Sequence, residues 1–188
     1  MTEPLRNSRL QAGLPGDPTP RQRLERLIRV DHAGEYGAKR IYQGQLAVLG
    51  GGDKGDVIRH MQEQEQQHLD TFAGLIADRR VRPTALLPLW HLAGFALGAA
   101  TAALGSRAAM ACTVAVEEAI DEHYAQQSAE LGDDEAPLRA TIDQFRAEEL
   151  EHRDIGLEHE AELAPAYRLM SAVIKVGCKV AIAVSERI

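Results

Sequence analysis

Four glutamates and two Glu-x-x-His histidines, residues that belong in water or on a metal, sit on stripes that are mostly Leu, Ile, Met and Phe. The first stripe runs Leu24, Ile28, Asp31/His32, Glu35, Tyr42, Leu49, and the second Ile58, Met61, Glu65, His68, Phe72, Leu75. The third is Met110, Val114, Glu117, Ile120, Tyr124, Leu131, and the fourth Leu138, Ile142, Phe145, Glu149, His152. Steps of three and four residues put each set on one face of a helix. Thr19-Pro20 reads as a helix start, and Gly50-Gly51-Gly52, Arg82-Pro83, Gly132 and Pro165 punctuate the chain. Helices are therefore expected over about 20–49, 53–80, 106–131 and 137–163. No segment alternates with period two, so the class is all-α, a four-helix bundle.

An ionised carboxylate removed from water is costly unless it is paired or bound to a metal. No Lys or Arg lies on these stripes near Glu35, Glu65, Glu117 or Glu149. Two divalent cations would neutralise the four, leaving His68 and His152 as neutral ligands. The order repeats: a lone Glu, then Glu-x-x-His one helix later, with separations of 30 residues (Glu35 to Glu65) and 32 (Glu117 to Glu149). That is the ligand set of ferritin-like dinuclear carboxylate bundles. A buried polar network without metal is the alternative. Carboxylates and imidazoles without thiolate suit iron or manganese better than structural zinc, and iron is the expected metal.

Other polar residues carry weaker signals. Tyr124 shares a stripe with Glu117, so it and His123 are candidates for contact with ligands or substrate, or simply a core tyrosine beside a surface histidine. Asp31, one turn before Glu35, is placed to orient a ligating imidazole, or to stay solvated. In the run Glu148, Glu149, Glu151, the two neighbours of the proposed ligand are expected to face solvent or an adjacent helix. His32, His60, His91 and His159 read as surface or packing residues, and Cys112 and Cys178 as small core residues.

With 188 residues, 45% hydrophobic and 26% charged, the chain is neither wholly disordered nor a polytopic membrane protein. A net charge of −7 argues against nucleic acid as a partner. Residues 1–18 read as a flexible leader without a secretory h-region, and 19–188 as a single domain. A cytoplasmic location follows.

Two stretches stand apart from the bundle pattern. Pro83 to Ser106 is 24 residues without Asp, Glu, Lys or Arg, interrupted by Pro88 and thinned by Gly and Ala. Tyr167 to Ile188 sets Leu169, Val173, Ile174, Val176, Val180 and Val184 against Arg168, Lys175 and Lys179, the pattern of an interfacial helix. Segments 83–105 and 167–184 are thus expected as additional apolar, membrane-facing helices resting in one leaflet.

The strings Arg29-Val30-Asp31-His32-Ala33-Gly34-Glu35-Tyr36-Gly37-Ala38, Ala109-Met110-Ala111-Cys112-Thr113-Val114-Ala115-Val116-Glu117-Glu118 and Glu148-Glu149-Leu150-Glu151-His152 resemble signatures of the demethoxyubiquinol hydroxylases of ubiquinone biosynthesis. So do Arg82-Pro83-Thr84, Pro88-Leu89-Trp90, Ala161-Glu162-Leu163-Ala164-Pro165-Ala166-Tyr167 and Ser185-Glu186-Arg187. The resemblance spans about residue 20 to the C-terminus. It implies a ferritin-like fold and a di-iron centre held by Glu35, Glu65, His68, Glu117, Glu149 and His152, with Glu65 and Glu149 bridging. It also implies a monooxygenase reaction with dioxygen and electrons from NADH or another reductant. The implied substrate is a polyprenylated methoxy-methyl-benzoquinol, hydroxylated on its ring. No dinucleotide-binding glycine fingerprint is present, so direct use of NADH needs another binding mode. The family further implies a peripheral enzyme on the cytoplasmic face of a bacterial inner membrane, with biosynthetic partner proteins. Competing classes are a ferroxidase or storage bundle, a peroxide-reducing bundle with thiolate iron ligands, and a structural membrane-associated bundle. The uncharged 24-residue segment and the two distant cysteines disfavour the first two.

Overall fold

The computed structural model describes residues 16–51 and 53–188. The expected leader, except for residues 16–18, lies outside the described residues. Six α-helices and no strand occur among the described residues, so the fold is all-α.

Helix α1 (Pro20–Leu49) starts at a capping box. Thr19 Oγ1 accepts from the Gln22 backbone N–H at 3.2 Å, and Gln22 Oε1 accepts from Thr19 N–H at 2.9 Å. Helix α2 (Asp53–Asp78) stops two residues short of the expected Arg80, because Arg80 takes a left-handed conformation with φ 54°. Helix α3 (Leu87–Ala103) lies in the uncharged stretch. Pro88 does not interrupt it; it occupies the first turn, where a missing N–H costs nothing. Gly105, at φ 113°, turns the chain into α4 (Ser106–Glu130). Helix α5 (Ala136–Glu158) is shorter than the expected 137–163. Glu160 takes φ 63°, and Ala161–Leu163 form a single 3-10 turn. Ala166, at φ 52°, precedes α6 (Tyr167–Ser185).

Helices α1 and α2 pack together, as do α4 and α5, and α1 meets α4. Two apolar clusters close the ends of this four-helix arrangement. One gathers Tyr42, Ile58, Met61, Met110, Ala111 and Val114; the other Ile28, Phe72, Tyr124, Leu138, Ile142 and Phe145. Along each helix, the polar stripe residues fall between its contributions to the two clusters. The apolar ends keep the middle of the bundle dry.

Helix α3 lies on α1 and touches α4. Its glycines, which thin its apolarity in sequence, permit the backbones to meet. A methyl on Gly98 would overlap the Ile41 carbonyl, and one on Gly44 of α1 would overlap the Phe95 carbonyl. Helix α6 packs on α4. Trp90 Nε1 of α3 donates to Ser185 Oγ of α6 at 3.1 Å, and Ala85 N–H donates to the Ile188 carbonyl at 3.2 Å.

Two of the three cations on the basic side of α6 are paired with acids, whereas Arg168 is exposed. Lys175 pairs with Glu118, and Lys179 Nζ stands 2.9 Å from Glu122 Oε2, both acids on α4. Ile174 is buried, whereas Leu169, Val173, Val176 and Val180 are more than half exposed, as are Leu89 and Leu92 on α3. No helix among the described residues is long and apolar enough to cross a membrane. At about 1.5 Å per residue, the 17 residues of α3 reach roughly 26 Å, short of a ~30 Å hydrocarbon core.

Candidate metal centre

Glu35, Glu65, His68, Glu117, Glu149 and His152 are each at most 1% exposed. They form two overlapping groups, Glu35, Glu65, His68 and Glu149, and Glu65, Glu117, Glu149 and His152. Within each group the nearest donor atoms all lie within 4.8 Å of one another. Glu65 and Glu149 belong to both, the placement a bridging carboxylate needs.

The donor set fits a pair of divalent ions. Both oxygens of Glu65, Oε2 of Glu35 and Oε2 of Glu117 are buried without a hydrogen-bond partner. Buried carboxylate oxygens left without partners are costly, and a cation in their midst satisfies them. The imidazoles point Nδ1 inward. His68 Nδ1 lies 3.1 Å from Glu149 Oε1 and 3.5 Å from Glu35 Oε2, and His152 Nδ1 lies 3.2 Å from Glu149 Oε2 and 3.3 Å from Glu65 Oε1.

Electrostatics of the ion-free cluster show the same strain. Burial, with the charge of Glu149 added, raises the Glu65 and Glu117 carboxyls well above the usual range. Burial alone would also raise Glu149, but hydrogen bonds and charge from His152 and His68 hold it at about 2. Burial alone would lower His68; its contacts with Glu149 and Glu35 instead push it up to about 12, and Glu149 likewise raises His152. Without metal, imidazolium supplies the positive charge.

Around the six lies a ring of donors and acceptors. Tyr42 Oη donates to Glu117 Oε1 at 2.6 Å, and Tyr124 Oη donates to Glu35 Oε1. Burial, reinforced by the adjacent glutamates, raises both phenols well above 10, so they remain donors. On the outer side, His68 Nε2 meets Glu148 Oε2 at 2.6 Å, and His152 Nε2 meets Gln64 Oε1 at 2.9 Å. Phe145 stacks on His68 with ring centroids 3.9 Å apart.

Asp31 is buried, but the structure gives it no ligating imidazole to orient. Its Oδ1 accepts from Gln127 Nε2 at 2.7 Å and lies 3.3 Å from His123 Nε2. His123 likewise meets Gln127 and Asp31, not a proposed ligand. Tyr124 does touch one. Glu148 faces the adjacent helix and contacts a candidate ligand, whereas Glu151 is exposed. Tyr42 stands on the first stripe without a role assigned to it there, and Gln64 and Gln127 lie off the stripes. Tyr42 was legible by its spacing from Glu35, which matches that of Tyr124 from Glu117; Gln64 and Gln127 carry no such mark. His91 accepts or donates at 2.7 Å with Tyr36 Oη, Cys112 is buried, and Cys178 is half-buried in an apolar cluster.

The family model of the ubiquinone biosynthesis protein COQ7 matches residues 22–185. The chain is 64% identical over 176 residues to the 3-demethoxyubiquinol 3-hydroxylase of Rhodospirillum rubrum, covering 93% of this chain and 83% of that protein. It is 54% identical over 181 residues to the human mitochondrial NADPH-dependent 3-demethoxyubiquinone 3-hydroxylase, covering 94% and 83%. Against the mitochondrial 5-demethoxyubiquinone hydroxylase of Saccharomyces cerevisiae it is 42% identical over 182 residues, covering 88% and 78%. With nearly the whole length of its helices matched, the chain belongs to the COQ7 family of ubiquinone biosynthesis proteins.

Proposed function

We propose that this chain is a di-iron monooxygenase that hydroxylates the ring of a polyprenylated demethoxyubiquinol with dioxygen. The observation that carries this is the pair of overlapping ligand groups sharing Glu65 and Glu149, in a chain 64% identical to a protein named for that reaction. Glu35, Glu65, His68, Glu117, Glu149 and His152 are the proposed iron ligands. Bound iron supplies the redox chemistry that makes dioxygen reactive toward an aromatic ring. The chain's own residues hold and orient. Tyr42 and Tyr124 fix single oxygens of Glu117 and Glu35, and the two apolar clusters exclude water. Electrons come from a reduced pyridine nucleotide, for which several relatives are named, or from another reductant.

The domain is taken as residues 19–188, a ferritin-like bundle in which α3 and α6 carry the membrane-facing surface. The outward leucines and valines of these helices support a peripheral position, on the cytoplasmic face of a bacterial inner membrane. There the substrate keeps its isoprenoid tail in lipid while its ring reaches the centre, and partner proteins of the same biosynthesis would share the surface.

The test combines metal analysis with product mass spectrometry. Purified protein is expected to hold about two irons per chain. It should convert demethoxyubiquinol, given a reductant and labelled dioxygen, to a product heavier by one labelled oxygen. Iron-loaded protein that returns the substrate unchanged would exclude the activity.

A further inference from the structure

The two halves of the centre correspond residue by residue. Glu35 corresponds to Glu117, Tyr42 to Tyr124 seven residues on, and Glu65-x-x-His68 to Glu149-x-x-His152, the second glutamate following the first by 30 residues in one half and 32 in the other. Gln64 and Glu148 are equivalent too, since each directly precedes the glutamate of a Glu-x-x-His pair. Their chemistry differs. Each reaches across to the other helix's imidazole, Glu148 of α5 to His68 and Gln64 of α2 to His152.

We propose that Glu148 and Gln64 are positioning residues that make the two metal positions unequal. The ion among Glu35, Glu65, His68 and Glu149 receives an imidazole backed by a carboxylate, and its neighbour an imidazole backed by a neutral amide. This rests on the two-metal reading above.

The geometry supports it in three steps. Both imidazoles turn Nδ1 toward the carboxylates and Nε2 away, so the outer partner acts on the nitrogen that does not ligate. A ring N–H donating to a carboxylate makes the opposite nitrogen a stronger donor than one bonded to an amide oxygen. Glu148 is itself held, because Gln144 Nε2 donates to its other oxygen at 2.9 Å. At 27% side-chain exposure its charge is only partly screened. The position served by His68 therefore binds its ion more tightly.

The test is stepwise anaerobic titration of the full-length metal-free protein with Co2+, followed by visible absorption, for wild type, Glu148→Gln, Gln64→Glu and the double exchange. Wild type is expected to show two unequal steps. Glu148→Gln should weaken the tighter step about 10- to 100-fold and bring the two together. Gln64→Glu should tighten the weaker step, and the double exchange should restore two separated steps. Circular dichroism checks that each variant folds; the two single variants probe opposite sides, so loss of one leaves the other decisive. If wild type binds two ions but the ratio of dissociation constants is the same in every variant, the inference fails while the two-metal reading stands. If wild type binds no pair of ions, both fall.

Discussion

Tyr42 and Tyr124 each lie seven residues after a buried glutamate, and each donates its hydroxyl to the other's glutamate across the α1–α4 contact. Two turns of helix separate each tyrosine from its own glutamate, so the exchange ties α1 to α4 at two levels of the bundle. Either Tyr→Phe change deletes one donor and leaves a carboxylate oxygen buried. Removing one such partner costs about 1–3 kcal/mol, and loss of a group that holds a ligand weakens metal binding about 10- to 100-fold. Tyr42→Phe and Tyr124→Phe are both expected to release iron during dialysis against a chelator faster than wild type, with unchanged helical content. Iron retention in both variants equal to wild type would show that these hydroxyls do not hold the ligands.

Glu149→Ala removes a carboxylate common to both groups, and Glu65→Ala the other. Each is expected to lower bound iron from about two per chain to less than one and to abolish hydroxylation. Glu151→Ala, on the exposed face of the same helix turn, should keep both. Glu148 is not a neutral control, because it touches His68. Wild-type iron content in Glu149→Ala would remove the proposed bridge.

The ion-free centre also sets a pH dependence. Glu65 and Glu117 have raised folded-state values, so their neutral forms favour the fold, and that contribution declines as pH rises above about 4.5. His68 is raised to about 12 and His152 is raised too, so their contribution is full below about 6.5 and is lost as pH rises toward the folded values. Glu149, lowered to about 2, acts in the opposite sense, but only below about 4.5. From pH 5 to 9 the shifts of Glu65, Glu117, His68 and His152 all act in the same direction. The melting temperature of metal-free protein is expected to fall across that range, whereas bound metal should flatten the slope by favouring the folded state through mass action. A metal-free melting temperature that is level from pH 5 to 9 would show that these carboxyls do not share one dry site.

Helices α1, α2, α4 and α5 were legible because their buried faces repeat every three or four residues over many turns, and the six polar intruders inherit their positions from those faces. The ends of α2 and α5 were not. Arg80 and Glu160 adopt left-handed backbone conformations without glycine, and no composition signal marks them. Helix α3 was expected within 83–105, but its seating on α1 was not. Glycine weakens a helix read alone, yet Gly44 and Gly98 permit the backbone approach that fixes α3 on α1. Gln64 and Glu148 were invisible as partners of the site, since a helical wheel turns each away from its own stripe. Only the neighbouring helix brings an imidazole to meet it.

The same comparison changes what membrane association should look like. Lys175 and Lys179 read in sequence as a free basic face for anionic headgroups, but they face Glu118 and Glu122 of α4. Beside Arg168 and the paired Lys179, what α3 and α6 turn outward is apolar, chiefly Leu89, Leu92, Leu169, Val173, Val176 and Val180. Fully burying such a side chain contributes about 1.5–3 kcal/mol, whereas charges already paired add little attraction and are screened by salt. Binding to phosphatidylcholine vesicles is therefore expected without anionic lipid, and to change little between low and high salt. Leu92→Gln with Val173→Gln should lower the bound fraction sharply and slow turnover of long-tailed quinol more than of a short-tailed one. Lys175→Glu with Lys179→Glu should act differently. It sets like charges against α4 and lowers the melting temperature, though each partly exposed pair is worth no more than about 1 kcal/mol. Vesicle co-sedimentation decides between the two surfaces. Binding that requires anionic lipid, collapses with salt and survives the Leu92 and Val173 changes would assign the membrane contact to charge and leave the apolar faces of α3 and α6 for another partner.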